Sequence, residues 1–500
     1  MKRRKRVPKN KIYSGLDQFV GAIKQGEINP VFKQSFGLYE VPFHNQAVSE
    51  LARAHYALAD IEKIAKLTVP TREIKSIASV NGEVVPADAH DIVDVTFDTH
   101  YDSIWTRDSC WAYMGLKLEN PELAKKVLLT EINYLVSQRE RIEQLVDKPE
   151  TLGDDNVIHI RFDSKQENFG DVWENGAVQP WNHKQNDAVG LLLDLAVTAW
   201  REDFIQPSDE QIEVIVLTFA YLSATKFWTQ ADAGAWEESA RRNTSSIALC
   251  TSAFENFRKW LVQDRKFKQD FNILRDKLGV EKLLSDQYLA QIIKNGYAVI
   301  RKQIKDGGES PSYSKSHPAY RTADAALLNV VFPAKLLRLA VKHKIQVLKI
   351  VSGLVREHGI IRYIGDTYQA GNFWFNDIHT DCDPEQLKRR LSMFKKGSEA
   401  EWFFDSWYSI CALEIYQKTR DDEFIYLATK HLNRALGQYT DTKSYKANGH
   451  PCDELELPES YNFLLLGAEK FAAASPMTPL NWAKAMQSLM LDKWQNFLRK

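Results

Sequence analysis

Two adjacent carboxylates, Glu237 and Glu238, follow an indole, Trp236, in the stretch "GAWEESARRNTSS". A carboxyl group beside an apolar ring and a second negative charge is a candidate general acid, because both neighbours oppose its ionisation. Such an acid needs a partner carboxylate that stays ionised and takes a proton from water. Glu459 in "ELELPESYNF" is the candidate. It follows Pro458 and precedes the polar Ser460, Tyr461 and Asn462. Each carboxylate also has an ordinary role open to it. Acidic residues favour the first turn of a helix, where they meet the positive end of its dipole. For Glu459 taken alone, capping is the commoner explanation.

Other stretches mix indoles with charge. "YDSIWTRDS" holds Tyr101, Trp105, Arg107 and Asp108. "WNHKQND" holds Trp181, Gln185 and Asp187. "RYIGDTYQAGNFWF" holds Arg362, Asn372 and Trp374, and "TPLNWAKA" holds Trp482. Indole faces stack on sugar rings, while carboxylates and amides beside them hydrogen-bond hydroxyls. Any one of these residues has a plain structural role as a core ring, a cap or a local ion pair. Several together point to a carbohydrate site.

The elements that must position these residues are helical. Apolar periodicity predicts helices near 108–118, 121–139, 186–201, 208–229, 244–262, 284–304, 322–341, 344–358, 401–418, 421–439, 459–473 and 480–498. Segments such as "AVGLLLDLAVTAW" are apolar almost all round and belong in an interior layer. Their followers, such as "DDEFIYLATKHLNRALGQY", carry one apolar stripe and a charged face. Six such pairs predict an all-α fold, an (α/α)6 barrel of six inner and six outer helices. The polar clusters fall where inner helices begin. Parallel inner helices would bring those beginnings to one mouth of the barrel, Glu237 and Glu459 among them. Residues 1–100 are read as an extension packed on a catalytic-type domain of 101–500. It has a basic tail, a helix at 46–67 and a short hairpin around Asn81-Gly82.

Composition narrows the class. The 500 residues are 44% hydrophobic and 26% charged with net charge -1, which argues against general affinity for nucleic acid or membrane. The basic start "MKRRKRVPKNK" reads as a solvated tail. No apolar run marks a secretory signal or a membrane span, and five scattered cysteines without CxxC spacing suit reduced thiols. A cytoplasmic protein without cofactor is expected; protein partners cannot be read from the sequence.

These motifs, in this order from about Tyr101 to Trp482, resemble glycoside hydrolase family 15, the glucoamylases. The glucoamylase-like region of phosphorylase kinase regulatory subunits is similar at a greater distance. The resemblance implies the (α/α)6 barrel and single-step inverting release of β-glucose from α-glucan ends. It implies Glu237 as general acid and Glu459 as general base, with Glu238 as a ligand of the next sugar. Arg107 and Asp108 would hold the terminal glucose, with Tyr101 and Trp105 beneath it. Trp181, in a motif shared with Gln185 and Asp187, would stand beside the acid. Arg362, Asn372 and Trp374 come from the loop motif of the leaving-group subsite, and Trp482 would close the pocket. Departures bear on linkage and chain-length preference. Asn182 and His183 replace the Gly and Arg of starch-specific fungal enzymes, Gly365 replaces an acidic residue, and about 25 residues are inserted at 376–400. The acidic run Asp381, Asp383 and Glu385 in that insertion is read as a solvated loop in preference to a calcium site. The expected activity is that of a glucan 1,4-α-glucosidase. A trehalase, an α-1,6-glucosidase and a non-catalytic glucan sensor are the alternatives.

Overall fold

The computed structural model describes residues 14–28, 30–85, 103–153, 156–174, 176–317, 319–369, 394–447 and 449–500, with 388, 391 and 392. The basic start, Tyr101, Asn372, Trp374 and the acidic run 381–385 lie outside the described residues. In chain order the α-helices are α1 (Ser14–Lys24), α2 (Gln46–Ser49), α3 (Leu58–Arg72), α4 (Thr106–Glu119) and α5 (Pro121–Ser137). There follow α6 (Arg139–Asp147), α7 (Asn186–Arg201), α8 (Asp209–Ala224), α9 (Thr244–Gln263) and α10 (Arg265–Lys277). The last five are α11 (Asp286–Asp306), α12 (Val341–Ser352), α13 (Asp405–Thr419), α14 (Asp422–Gly437) and α15 (Asn481–Leu498).

The fold is an all-α barrel. Its inner ring runs α4, α7, α9, a 3-10 segment at Ala325–Val330, α13 and α15, and closes back on α4. The outer layer sets α5 on α4, α11 on α9, α12 on the 3-10 segment and α14 on α13. Outer α8 stacks Phe219 on Phe257 of α9 at 4.5 Å. Inner helices must be apolar on every side, since both faces meet protein. Along α7, Ala188 through Asp194 are all buried. Each fully buried Leu or Val there contributes roughly 1.5–3 kcal/mol. The α7–α9 crossing is close because Gly190 has no side chain: a Cβ there would lie 2.6 Å from the Cys250 amide nitrogen.

Three expectations are corrected. Residues 322–341 do not form an α-helix. Asp324 caps a short 3-10 segment through Ala326 N–H, and Pro333 removes a backbone donor that a continuing helix would need. Residues 459–473 do not form a helix either. They build the antiparallel strands Ser460–Leu466 and Glu469–Ala474, which turn at Gly467 with φ +65. These strands pair outward with Tyr445–Lys446 and Glu401–Trp402. Glu459 therefore leads into a strand. Finally, α15 is an inner helix, and its outer partner is α3 from the N-terminal hundred residues. The expected 46–67 helix is the short α2 and the longer α3, and the hairpin forms at 77–84.

Candidate active site

Glu237 stands on the loop that leads into α9. An isolated bridge between Asp232 and Arg241 pinches the base of this loop. Asp232 fastens it to the two helices: its Oδ2 accepts from Asn186 N–H at 3.1 Å and from the Ser246 hydroxyl at 2.8 Å. Inside the loop a 3-10 turn, Gly234–Trp236, ends on Glu237 at φ 61 and ψ 31. A left-handed conformation costs a residue with a Cβ roughly 1–3 kcal/mol and persists only where surroundings impose it. Here Asn182 Nδ2 donates to the Glu237 carbonyl at 3.3 Å and the Glu238 carbonyl at 3.1 Å. The strained backbone sends two successive side chains to different partners.

Arg107, in the first turn of α4, gathers one set. It donates to Glu237 Oε1 at 2.8 Å and to Gln185 Oε1 at 2.9 Å. Asp108 Oδ2 is 3.5 Å from it and Asp187 Oδ2 3.9 Å. All of these side chains are buried. Burial pushes the Asp108 carboxyl up to about 7, against the pull of Arg107 and with the push of Glu237. Burial also raises Asp187, although Arg107 and the Ala188 amide oppose it. Among the described residues, neither Asp187 oxygen makes a well-formed hydrogen bond, and the Arg107 Nε, Trp181 Nε1 and Trp482 Nε1 atoms have no partner. Buried donors and acceptors left this way cost about 1–3 kcal/mol each.

Glu238 is held by the other set. Its Oε2 accepts from Arg321 at 2.8 Å and faces Arg241 at 3.5 Å; its Oε1 faces Arg362 at 3.5 Å and accepts from the Tyr363 hydroxyl. Burial opposes this charge, but Arg321, Arg362 and Arg241 outweigh it and hold the carboxyl down at about 2. Asp366 grips Arg362 through two bonds of 2.7 Å, and Asp324 binds Arg321 at 3.1 Å. The charge of Glu238 is thus spent on arginines, and Glu237 has its own ion pair with Arg107. A pair of mutually repelling carboxylates, as the sequence suggested, is not what forms.

Rings wall the site. The Arg161 guanidinium lies 4.8 Å from the Trp105 ring and 4.0 Å from the Trp181 ring, which are themselves 6.1 Å apart. Trp482 lies 5.8 Å from Arg107 and 6.4 Å from Trp236. Trp236 donates to Asp324 Oδ1 at 2.8 Å and faces Trp402 at 6.3 Å. Trp402 pairs with Ser460, the residue after Glu459. Glu459 Oε2 accepts from Gln369 Nε2 at 2.6 Å and from the Ser475 hydroxyl at 3.3 Å.

The structure therefore brings together Trp105, Arg107, Asp108, Trp181, Gln185, Asp187, Trp236, Glu237, Glu238, Arg362 and Trp482; Glu459 adjoins Ser460, the strand partner of Trp402. Tyr101, Asn372 and Trp374 lie outside the described residues. Sequence reasoning missed Arg161, Arg241, Arg321, Tyr363 and Gln369. Arg241 sat in "GAWEESARRNTSS", and Tyr363 and Gln369 in "RYIGDTYQAGNFWF", so proximity in sequence was an available signal for these. Arg161 had none.

Among the described residues, one group has spacing suited to a metal: His159, Asp171 and His183, with donor atoms within 4.8 Å. Its two imidazoles stack at 3.8 Å and 6°, and His159 Nδ1 bonds Asp171 Oδ1 at 2.8 Å. Stacked parallel rings aim their in-plane lone pairs along parallel lines, not at one point. The arrangement fits a His–Asp hydrogen bond that props the Trp181 loop better than it fits a tetrahedral ion.

No family model matches the chain. Over 206 residues it is 34% identical to the uncharacterized lipoprotein YgeQ of Escherichia coli, covering 39% of this chain and 78% of YgeQ. Over 68 residues it is 43% identical to the protein YgeP of Escherichia coli, covering 14% of this chain and 69% of YgeP. Among solved structures, the glucoamylase from Saccharomycopsis fibuligera aligns with TM-score 0.53 at 15% identity, over 89% of this chain and 99% of that one. A glycosidase in complex with glucose aligns with TM-score 0.52 at 15% identity, over 90% and 98%. The family 15 glucoamylase from Hypocrea jecorina aligns with TM-score 0.50 at 12% identity, over 88% and 73%. Likeness at such identity is one of fold alone: the chain has the barrel fold of these proteins.

Proposed function

We propose that this chain, which belongs to the YgeQ family, is an exo-acting, inverting glycoside hydrolase that releases β-glucose from the non-reducing ends of α-1,4-glucans. The observation that carries the reading is the buried cluster of Arg107, Asp108, Asp187 and Glu237, with the Trp482 indole 5.8 Å from Arg107. Carboxylates and a guanidinium grouped beside an indole are the types of group that bind sugar hydroxyls and a ring face. In this reading Arg107, Asp108 and Asp187 hold that sugar. Glu237 gives its proton to the glycosidic oxygen as the bond from C1 breaks. Water adds to C1 from the opposite face and loses a proton to Glu459, which inverts the anomeric centre. Glu237 is bound to Arg107, so the acid role requires the sugar hydroxyls to draw Arg107 away and free the carboxyl to take up a proton. Glu238, pinned by arginines, stays ionised and accepts a hydrogen bond from the next sugar. Glycogen, starch and maltooligosaccharides are the proposed substrates.

The test is incubation of the purified protein with maltoheptaose, glycogen, isomaltose and trehalose, followed by proton NMR in the first minutes. Glucose as the sole early product from maltoheptaose, first as the β-anomer, is expected. Early α-glucose would refute inversion, early maltose would refute a closed pocket, and activity on trehalose or isomaltose alone would move the substrate. Glu237→Gln and Glu459→Gln should each reduce turnover roughly 10²–10⁴-fold with the fold intact. No described helix is long and apolar enough to cross a membrane. The proposed location is the cytoplasm, which differs from the lipoprotein name of YgeQ; fractionation with fatty-acid labelling decides it.

A further inference from the structure

Behind Glu459 stands a residue that no motif marked. Gln369 is buried, and its backbone is held at φ 53, left-handed despite a side chain. Three contacts fix it. Its Nε2 donates to Glu459 Oε2 at 2.6 Å, its Oε1 accepts from the Ser460 hydroxyl at 2.8 Å, and its backbone carbonyl accepts from Asn462 Nδ2. Ser460 and Asn462 belong to the strand that Glu459 precedes. The strand thus orients the amide that orients its own leading carboxylate. Chemistry decides which way round the amide lies. Its N–H end faces the carboxylate, because its oxygen there would meet another lone pair. A second donor, the Ser475 hydroxyl, reaches the same carboxylate oxygen, and Ser475 is fixed in turn by the Met477 amide, which donates to its Oγ at 3.1 Å.

We propose that Gln369 is a positioning residue for Glu459 in the hydrolytic step, which makes the inference rest on the function proposed above. The amide does two things. It holds the carboxylate plane through Oε2, which fixes the direction of the lone pairs that must meet water. It also favours the charged carboxylate over the neutral acid, since N–H donation stabilises negative charge. A base needs both a fixed lone pair and an ionised state at working pH. The stretch bearing Arg362 and Asp366 also carries Gln369, so the residues around Glu238 and the support of Glu459 lie close together in the chain. The left-handed backbone at Gln369 is the local cost of holding the amide there.

The experiment compares wild type, Gln369→Leu and Ser460→Ala. In Gln369→Leu the donor is gone and the volume nearly kept. We expect kcat to fall at least tenfold with KM within twofold. The acidic limb of the kcat–pH profile should rise by about one pH unit, as loss of a charge-assisted hydrogen bond predicts. Ser460→Ala leaves the donor but loosens it, and should shift the limb in the same direction by less. Difference infrared titration, with Glu459→Gln identifying the band, reads the Glu459 carboxyl without turnover and should show the same upward shift. An unmoved acidic limb and infrared band in Gln369→Leu, with or without loss of rate, would overturn the proposal. If wild type releases no sugar, the function proposed above fails, and the infrared shift alone still decides whether Gln369 governs Glu459.

Discussion

Replacing Glu238 with Gln removes one charge and almost no volume. Its carboxylate lies against Arg321 at 2.8 Å and against Arg241 and Arg362 at 3.5 Å, with all four side chains close to fully buried. Breaking a buried ion pair from one side costs about 3–5 kcal/mol. The lower end applies here, because Asp324 and Asp366 still compensate Arg321 and Arg362. Proton linkage gives a second figure. A carboxyl shifted from 4.5 to about 2 on folding corresponds to roughly 3 kcal/mol. The sign follows from the depressed folded value. The stabilisation is complete above about pH 4.5 and is lost as pH falls toward 2. Urea unfolding at pH 7 should therefore show Glu238→Gln less stable by about 3 kcal/mol, and the gap should have about halved near pH 3. A gap below about 0.5 kcal/mol at pH 7, or one that does not change between pH 5 and pH 3, would refute the charge accounting around Glu238.

Two further outcomes are expected. Asp187→Asn should lower kcat/KM for maltoheptaose about 10–100-fold, the loss of one charge-assisted hydrogen bond to a hydroxyl. Because burial already opposes the Asp187 charge, the variant should unfold no earlier than wild type at pH 7; unfolding at lower denaturant with unchanged kinetics would make Asp187 structural. Gly190→Ala should destabilise by about 1–3 kcal/mol in denaturant titration, since its Cβ would meet the Cys250 amide at 2.6 Å and force α7 and α9 apart. Wild-type stability there would mean that the crossing is looser than described.

Most of the barrel is legible in local sequence patterns. Helical periodicity is local, so α4, α5, α7, α9, α11, α14 and α15 could be read within a few residues of their ends. All-round apolar character separated α7 from an amphipathic partner such as α14 for the same reason. Arg107, Gln185, Asp187 and Glu237 could be grouped before any coordinates, because each stands at or just ahead of the start of an inner helix. Only the tertiary structure decided the rest. "SYNFLLLGAEKFAAA" is rich in helix formers, yet its residues lie in strands because Glu401–Trp402 and Tyr445–Lys446, distant in sequence, supply hydrogen-bonding edges. The sixth outer helix comes from residues 58–72, which are distant in sequence from the inner helix α15 that they cover. Glu238 is not the neighbour that burdens Glu237, because three arginines from three separate segments neutralise it. The left-handed turn at Glu237 and the Gln369 support of Glu459 arise the same way. Periodicity is written in adjacent residues, whereas strand pairing, charge compensation and imposed backbone strain are sums over partners that meet only when the chain has folded.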